Sequence, residues 1–128
     1  MIIATWIVAG SLAVLNFFAG AVKAFTPWPR LQEMMPWTET TGKGPTYVAA
    51  WAEIIGAIGV LLPLLLARSL EGWDWAVWIS LVAVIGLSVI RLLAIGVHVK
   101  RREVNALRTN ITLLILGVTA ATLLITLT

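Results

Sequence analysis

The chain of 128 residues contains no cysteine and only one histidine. Without thiols, this chain cannot carry a disulfide framework, a thiol nucleophile, an iron–sulfur cluster or a dithiol relay. One histidine cannot by itself make a His-rich metal site. Charge is scarce too: 12% of the residues are Asp, Glu, Lys or Arg, against about 25% in a soluble domain. Hydrophobic residues make up 60% instead. A fold this small leaves much of its surface wet, so that excess cannot be hidden from water. Lipid is therefore the solvent for most of the chain, which excludes a cytosolic enzyme, a secreted domain and a disordered tail.

A spanning helix needs about 20 mostly apolar residues, and four such stretches occur, at 2–24, 46–67, 75–99 and 109–128. They predict an all-α fold, a single-domain polytopic bundle of four transmembrane helices. The first stretch is read as a retained span and not a signal peptide, because no positive residue precedes Lys23 and the apolar run is too long. The connection 25–45 is the one of any size. Within it, Leu31, Met34 and Met35 recur at helical spacing between Pro29 and Pro36, which predicts a short amphipathic helix in the headgroup plane. Gly42, Gly44 and Pro45 then suggest a flexible re-entry.

Lysine and arginine set the orientation. Lys23, Arg30, Lys43, Lys100, Arg101, Arg102 and Arg108 fall in or beside the connections after spans one and three, whereas the opposite side has Arg68 beside Glu71 and Asp74. The positive-inside rule then puts 25–45 and 100–108 in the cytoplasm and both termini outside. Trp73, Trp75 and Trp78 mark the outer boundary, and Trp28 and Trp37 the inner one. The net charge of +3 reflects this topology and an attraction to anionic lipid, not nucleic-acid binding.

The polar exceptions within the spans are the candidate ligand-binding residues Asn16, Lys23, Glu53, Arg91, His98 and Asn110. Asn16, Gly20 and Lys23 share one helix face, as do Arg91 and His98. Counted from the span ends, Asn16, Glu53 and Arg91 each lie roughly 10–12 Å below the cytoplasmic boundary at about 1.5 Å of rise per residue. Lys23, His98 and Asn110 make a shallower ring. Two polar layers are thus expected in the cytoplasmic half, beneath a nearly aliphatic outer half.

A central arginine costs about 2.5–3.5 kcal/mol to insert. The 14 Leu, Ile and Val residues between Trp75 and Val99 return roughly 4–8 kcal/mol, so the third span inserts. Arg91 facing lipid would still be a penalty, and Glu53 at matched depth is its natural partner, in a strong and potentially bidentate pair. Such a pair reads either as a structural staple between helices or as a ligand or proton site open to the cytoplasm. Lys23 reads as snorkelling to the headgroups or as part of that site. His98 reads as a boundary residue or a proton carrier. Ala52, Gly56, Gly59, Pro63, Gly86 and Ser88 suit close helix packing, and Gly20 lets the second span approach Lys23. Thr112, Thr119, Thr122 and Thr126 form a stripe expected to hydrogen-bond between helices.

Taken together, Asn16-x-x-x-Gly20-x-x-Lys23, Met35-Pro36-Trp37, Glu53-x-x-Gly56-Ala57-x-Gly59 with Pro63, and His98 followed by Arg101-Arg102-Glu103 resemble the DoxX-like family over nearly the whole chain. The resemblance implies a small four-helix protein of a prokaryotic plasma (inner) membrane. It also implies association with redox or oxidative-stress systems, one relative being linked to a thiosulfate:quinone oxidoreductase. Arg91 is not part of the family pattern, and its pairing rests on depth and spacing.

Three functions follow as expectations. The first is an accessory subunit of a quinone-linked redox system with no chemistry of its own. The second is a small-ligand or quinone/lipid-binding protein that uses the polar cluster. The third and weakest is a transporter or proton pathway, since no polar residues continue a path through the outer half and no inverted repeat is evident. No metal is expected and no cofactor motif is visible, although a quinone fits. The absent motifs tip the reading away from catalysis. Partners are the bilayer and either a redox complex or a quinone, with exposed Gly and Ala faces that permit a homo-oligomer.

Overall fold

The computed structural model of the chain describes residues 2–128, and among them every regular element is helical. Four helices are long and apolar enough to cross a membrane: α1 (Ile2–Phe25), α4 (Lys43–Ser69), α5 (Val77–Arg101, led in by a 3-10 turn at Asp74–Ala76) and α6 (Val104–Thr126). Two short helices, α2 (Trp28–Met34) and α3 (Trp37–Thr41), fill the first connection. The protein is an integral membrane bundle in which α1 packs on α4, α4 on α5, α5 on α6, and α6 back on α1. "Loop end" denotes here the end carrying α2, α3 and the α5–α6 turn.

The element boundaries follow from local chemistry. Pro27 disfavours helix at the residue before it and so closes α1. Pro27 and Pro29 then open α2, where missing N–H donors cost nothing. The expected amphipathic helix is present, with Leu31 fully buried, but Met34 faces outward at 51% exposure. The re-entry is tighter than the sequence suggested. Gly42 adopts φ 89°, a conformation glycine accepts without strain, and Gly44 and Pro45 already lie in the first turn of α4. The helix α3 was not expected at all.

The loop expected at 100–108 contracts to Arg102 and Glu103. Arg102 takes a left-handed conformation at φ 55°, and the Glu103 N–H donates to the His98 carbonyl at 3.1 Å. Residues 104–108, of which Asn105 and Arg108 are polar, already belong to α6.

With lipid on the outside, no hydrophobic drive brings helices together, and close packing must do so. Small residues provide it. A β-carbon added at Gly20 would lie 2.5 Å from the Ala50 carbonyl oxygen and 3.0 Å from Glu53 Cβ. Between α4 and α5, Gly56 meets the Leu87 side chain and Gly59 faces Ala83. Gly117 of α6 accommodates Ser88. Gly86, expected to pack, has nothing within 4 Å.

The threonine stripe corrects another expectation. Thr112, Thr119, Thr122 and Thr126 donate to carbonyls of their own helix at 2.6–2.9 Å and are exposed. A hydroxyl facing hydrocarbon satisfies itself on the preceding turn, so the stripe joins no helices. At the far end, Trp73 and Trp75 stack with ring centroids 5.3 Å apart, and Trp75 and Trp78 are more than half exposed, as boundary tryptophans are.

Gly20→Ala should therefore lower stability by about 1–3 kcal/mol through overpacking, seen as a depressed thermal unfolding midpoint in detergent. Gly86→Ala should leave the midpoint unchanged or slightly raised, since alanine favours helix. Equal midpoints for the two variants would contradict the close α1–α4 contact.

Candidate functional site

Arg91 lies on α5 at 4% exposure and touches each of the other three spanning helices. Its Nη2 donates to Asn16 Oδ1 on α1 at 2.8 Å, and its Nη1 donates to Asn110 Oδ1 on α6 at 2.9 Å. The same Nη2 lies 2.8 Å from Glu53 Oε1 on α4. Both amides are oriented by their own helices. Asn16 Nδ2 donates to the Leu12 carbonyl and Asn110 Nδ2 to the Ala106 carbonyl, each at 2.8 Å. Each amide oxygen is thereby turned toward the guanidinium.

Glu53, at 1% exposure, is the only carboxylate in this group. Lys23 Nζ donates to its Oε1 at 2.6 Å, so two cations converge on one oxygen. The pair with Arg91 expected from matched depth forms, but it is not bidentate, because Glu53 Oε2 has no partner.

The two-layer arrangement changes in the structure. Lys23 does not snorkel outward, and it is only 7% exposed. Helical side chains lean toward their own N-terminus, which for α1 is the far end, so the lysine reaches inward. Glu53, on an antiparallel helix, leans toward the loop end and meets it. Gly20 supplies the space for that meeting. Asn110 also leaves the expected shallow ring. Because α6 starts at Val104, Asn110 is six residues into the helix, about 9 Å deep, within reach of Arg91.

His98 stays apart from this cluster. Its Nδ1 lies 3.1 Å from Glu103 Oε1, which also accepts from Arg101 Nε at 3.1 Å. Arg101 Nη1 donates to Thr40 Oγ1 at 2.5 Å, tying α3 to the α5–α6 turn. Trp37, at the loop end, sets its ring edge-on to His98 at 5.5 Å, with Lys23 Nζ 5.7 Å from the ring centre. It covers the cluster. Glu103, Trp37 and Thr41 take part without having been candidate site residues, although the first two stand in the motifs quoted above. The signals available were one acidic residue closing the run Lys100-Arg101-Arg102 and a tryptophan between Pro36 and Gly42.

A cavity of about 790 Å³ adjoins these groups. Lys23, Trp37, Glu53, Arg91, His98 and Asn110 all contribute to its wall, alongside apolar residues of α4 and α5. Among the described residues, the buried side-chain atoms left without a hydrogen-bond partner are Thr41 Oγ1, Glu53 Oε2 and Arg91 Nε. All three residues line this one cavity. An unmet donor on Arg91 and an unmet acceptor on Glu53 thus belong to residues of the cavity wall. No three His, Cys, Asp or Glu among the described residues gather as a metal site.

A model of the DoxX-like family matches residues 7–121 of the chain. Comparison with curated proteins and with solved structures yields no match.

Removing either partner of a buried pair strands the other charge, so Glu53→Ala and Arg91→Ala should each cost about 3–5 kcal/mol. The double variant should lose less than the sum of the two in detergent unfolding. Strictly additive losses would mean the side chains are not coupled.

Proposed function

The chain belongs to the DoxX-like family, and within it we propose the role of a ligand-binding membrane protein. In this reading, the Lys23–Glu53–Arg91 cluster holds the polar head of a small amphiphilic ligand while the apolar cavity wall holds its body. One observation carries the reading: the unpartnered buried atoms Thr41 Oγ1, Glu53 Oε2 and Arg91 Nε all belong to residues lining one cavity. A buried polar atom without a partner costs about 1–3 kcal/mol, and a guest that pairs with it recovers that cost. The cavity size falls within the roughly 300–1,000 Å³ common for ligand pockets. By contrast, the hollow of about 470 Å³ between α1 and α4 is lined by Trp6, Phe17, Phe18 and aliphatic side chains. It offers no charge to a polar head.

Resemblance to redox-associated proteins makes a quinone the first ligand to look for, with a polar lipid second. The role of accessory subunit in a redox complex rests on that resemblance, and no feature of the bundle surface favours it over ligand binding. We further propose that the loop end faces the cytoplasm of a prokaryotic inner membrane with both termini outside. Support comes from the lysines and arginines concentrated at that end.

Mass spectrometry of lipid extracts from the purified protein should find a quinone or polar lipid at near one per chain. The ligand should fall to background in a Glu53→Gln variant that still folds. Retention unchanged by the substitution would reduce the cluster to a structural staple. Because the native chain has no cysteine, Thr128→Cys in intact cells reports topology alone. It should react with an impermeant maleimide from outside, and labelling only after lysis would reverse the orientation.

A further inference from the structure

The cavity beside the Glu53–Arg91 cluster has a lipid-facing side. Val48 of α4 and Leu93 of α5 both line it, yet they are 71% and 69% exposed. A residue can do both only at a mouth. Deeper in the bundle, α4 and α5 are in close contact where Gly56 meets Leu87 and Gly59 faces Ala83. Toward the loop end, the cavity side of the same seam carries Ala49, Ala52 and Ala94. These side chains are too short to close the gap the cavity occupies. One opening therefore lies on the outer face between two helices, beside the buried cluster and toward the loop end from it.

The unpartnered atoms restrict the guest's head. Arg91 Nε–H requires an acceptor and Glu53 Oε2 requires a donor, and both atoms belong to groups already in contact. A hydroxyl is the smallest group that does both, accepting on a lone pair and donating its proton. Donation to an ionised carboxylate is also the stronger kind of hydrogen bond. A carboxylate head would set a second negative oxygen against Glu53 Oε2, and an ammonium head would join Lys23 and Arg91 as a third cation. An ether, ester or quinone oxygen accepts only and leaves Glu53 unpaired, whereas the reduced quinol carries the hydroxyl.

Resting on the ligand-binding reading above, we infer that the seam between α4 and α5 is a lateral portal. Through it an uncharged, hydroxyl-headed, single-tailed amphiphile enters from the bilayer to bond Glu53 and Arg91. The tail remains between Val48 and Leu93 and points into lipid. Trp37 and the α3 helix, held by the Arg101–Thr40 bond, stand over the cluster at the loop end, where exposed liners such as Met34 and Val104 make a second opening, and the seam is the one that an apolar tail fits.

The test uses the full chain in nanodiscs, with 1-hexadecanol, hexadecyl methyl ether and palmitate as probes and native mass spectrometry as the readout. Hexadecanol should bind at one per chain, with the ether and palmitate each at least tenfold weaker. Palmitate or ether binding as well as the alcohol would overturn the hydroxyl assignment. The portal is tested at exposed positions outside the cluster, by Val48→Cys with Leu93→Cys joined by a short bis-maleimide. Cross-linking before the probe is added should slow loading at least tenfold. Cross-linking after loading should slow release as much. Unchanged exchange in the fully cross-linked protein would overturn the lateral route while leaving the ligand site standing. If a quinone or polar lipid copurifies but no hexadecanol binds, the head-group class is wrong and the ligand-binding reading survives. If neither is found, both fall.

Discussion

A single guanidinium determines how this bundle is assembled. Arg91 donates to an amide on α1 and an amide on α6, and its Nη2 also meets the carboxylate on α4. In hydrocarbon no water competes for those donors, and an arginine that loses its partners has nowhere inexpensive to go. The depth and rotation of three helices are therefore constrained relative to the fourth. Lys23 closes the circuit by returning from Glu53 to α1. Apolar packing alone leaves helices free to slide, because lipid tails are as good a neighbour as leucine. A buried charge does not tolerate sliding, so the cluster specifies register where greasy surfaces cannot.

The far half of the bundle solves its problem differently. Among the described residues it carries no charge in its interior, and its helices meet through alanine, valine and leucine at near-zero exposure, Ala9, Val60, Leu64 and Leu124 among them. Ser80 adds one cross-helix bond, donating to the Val60 carbonyl at 2.8 Å. The glycine contacts of Gly56 and Gly59 lie between the two regimes. They bring α4 and α5 together just beyond the level where the polar cluster and its cavity hold them apart. One pair of helices thus serves as close-packed wall over part of its length and as the side of a cavity over the rest.

The sequence reveals these features unevenly, for physical reasons. Four spans are legible because length and hydropathy are collective properties that no single residue can hide. The level of Asn16, Glu53 and Arg91 is legible because helical rise is uniform, so counting from a boundary measures depth. Counting fails where the boundary itself is misjudged. Hydropathy starts the last span at Thr109, five residues after α6 begins, and that offset hides the partnership of Asn110 with Arg91. Counting also ignores which way a long side chain leans, and so misjudges Lys23. The α3 helix has no local signal strong enough to predict it: five residues between a proline and a glycine, fixed by Arg101 sixty-one positions away. The family resemblance covers the motifs around Asn16, Lys23, Glu53 and His98 but leaves out Arg91, the residue that connects them.

The cluster's own geometry bears on whether it is a staple. Arginine and carboxylate can form a fork with two parallel bonds, and a pair selected only to hold helices together would use both oxygens. Here Glu53 gives one oxygen to both Lys23 and Arg91 and leaves the other without a bond, while Arg91 leaves Nε unused. Two unmade bonds of this kind cost about 1–3 kcal/mol each, a large fraction of a typical folding free energy of about 5–15 kcal/mol. Local rules broken without a structural gain are what a binding site would require, and this favours the binding reading over the staple. The cost is not spread at random through the core. It is concentrated at the wall of a cavity with a greasy side opening, where an entering polar group can offset it.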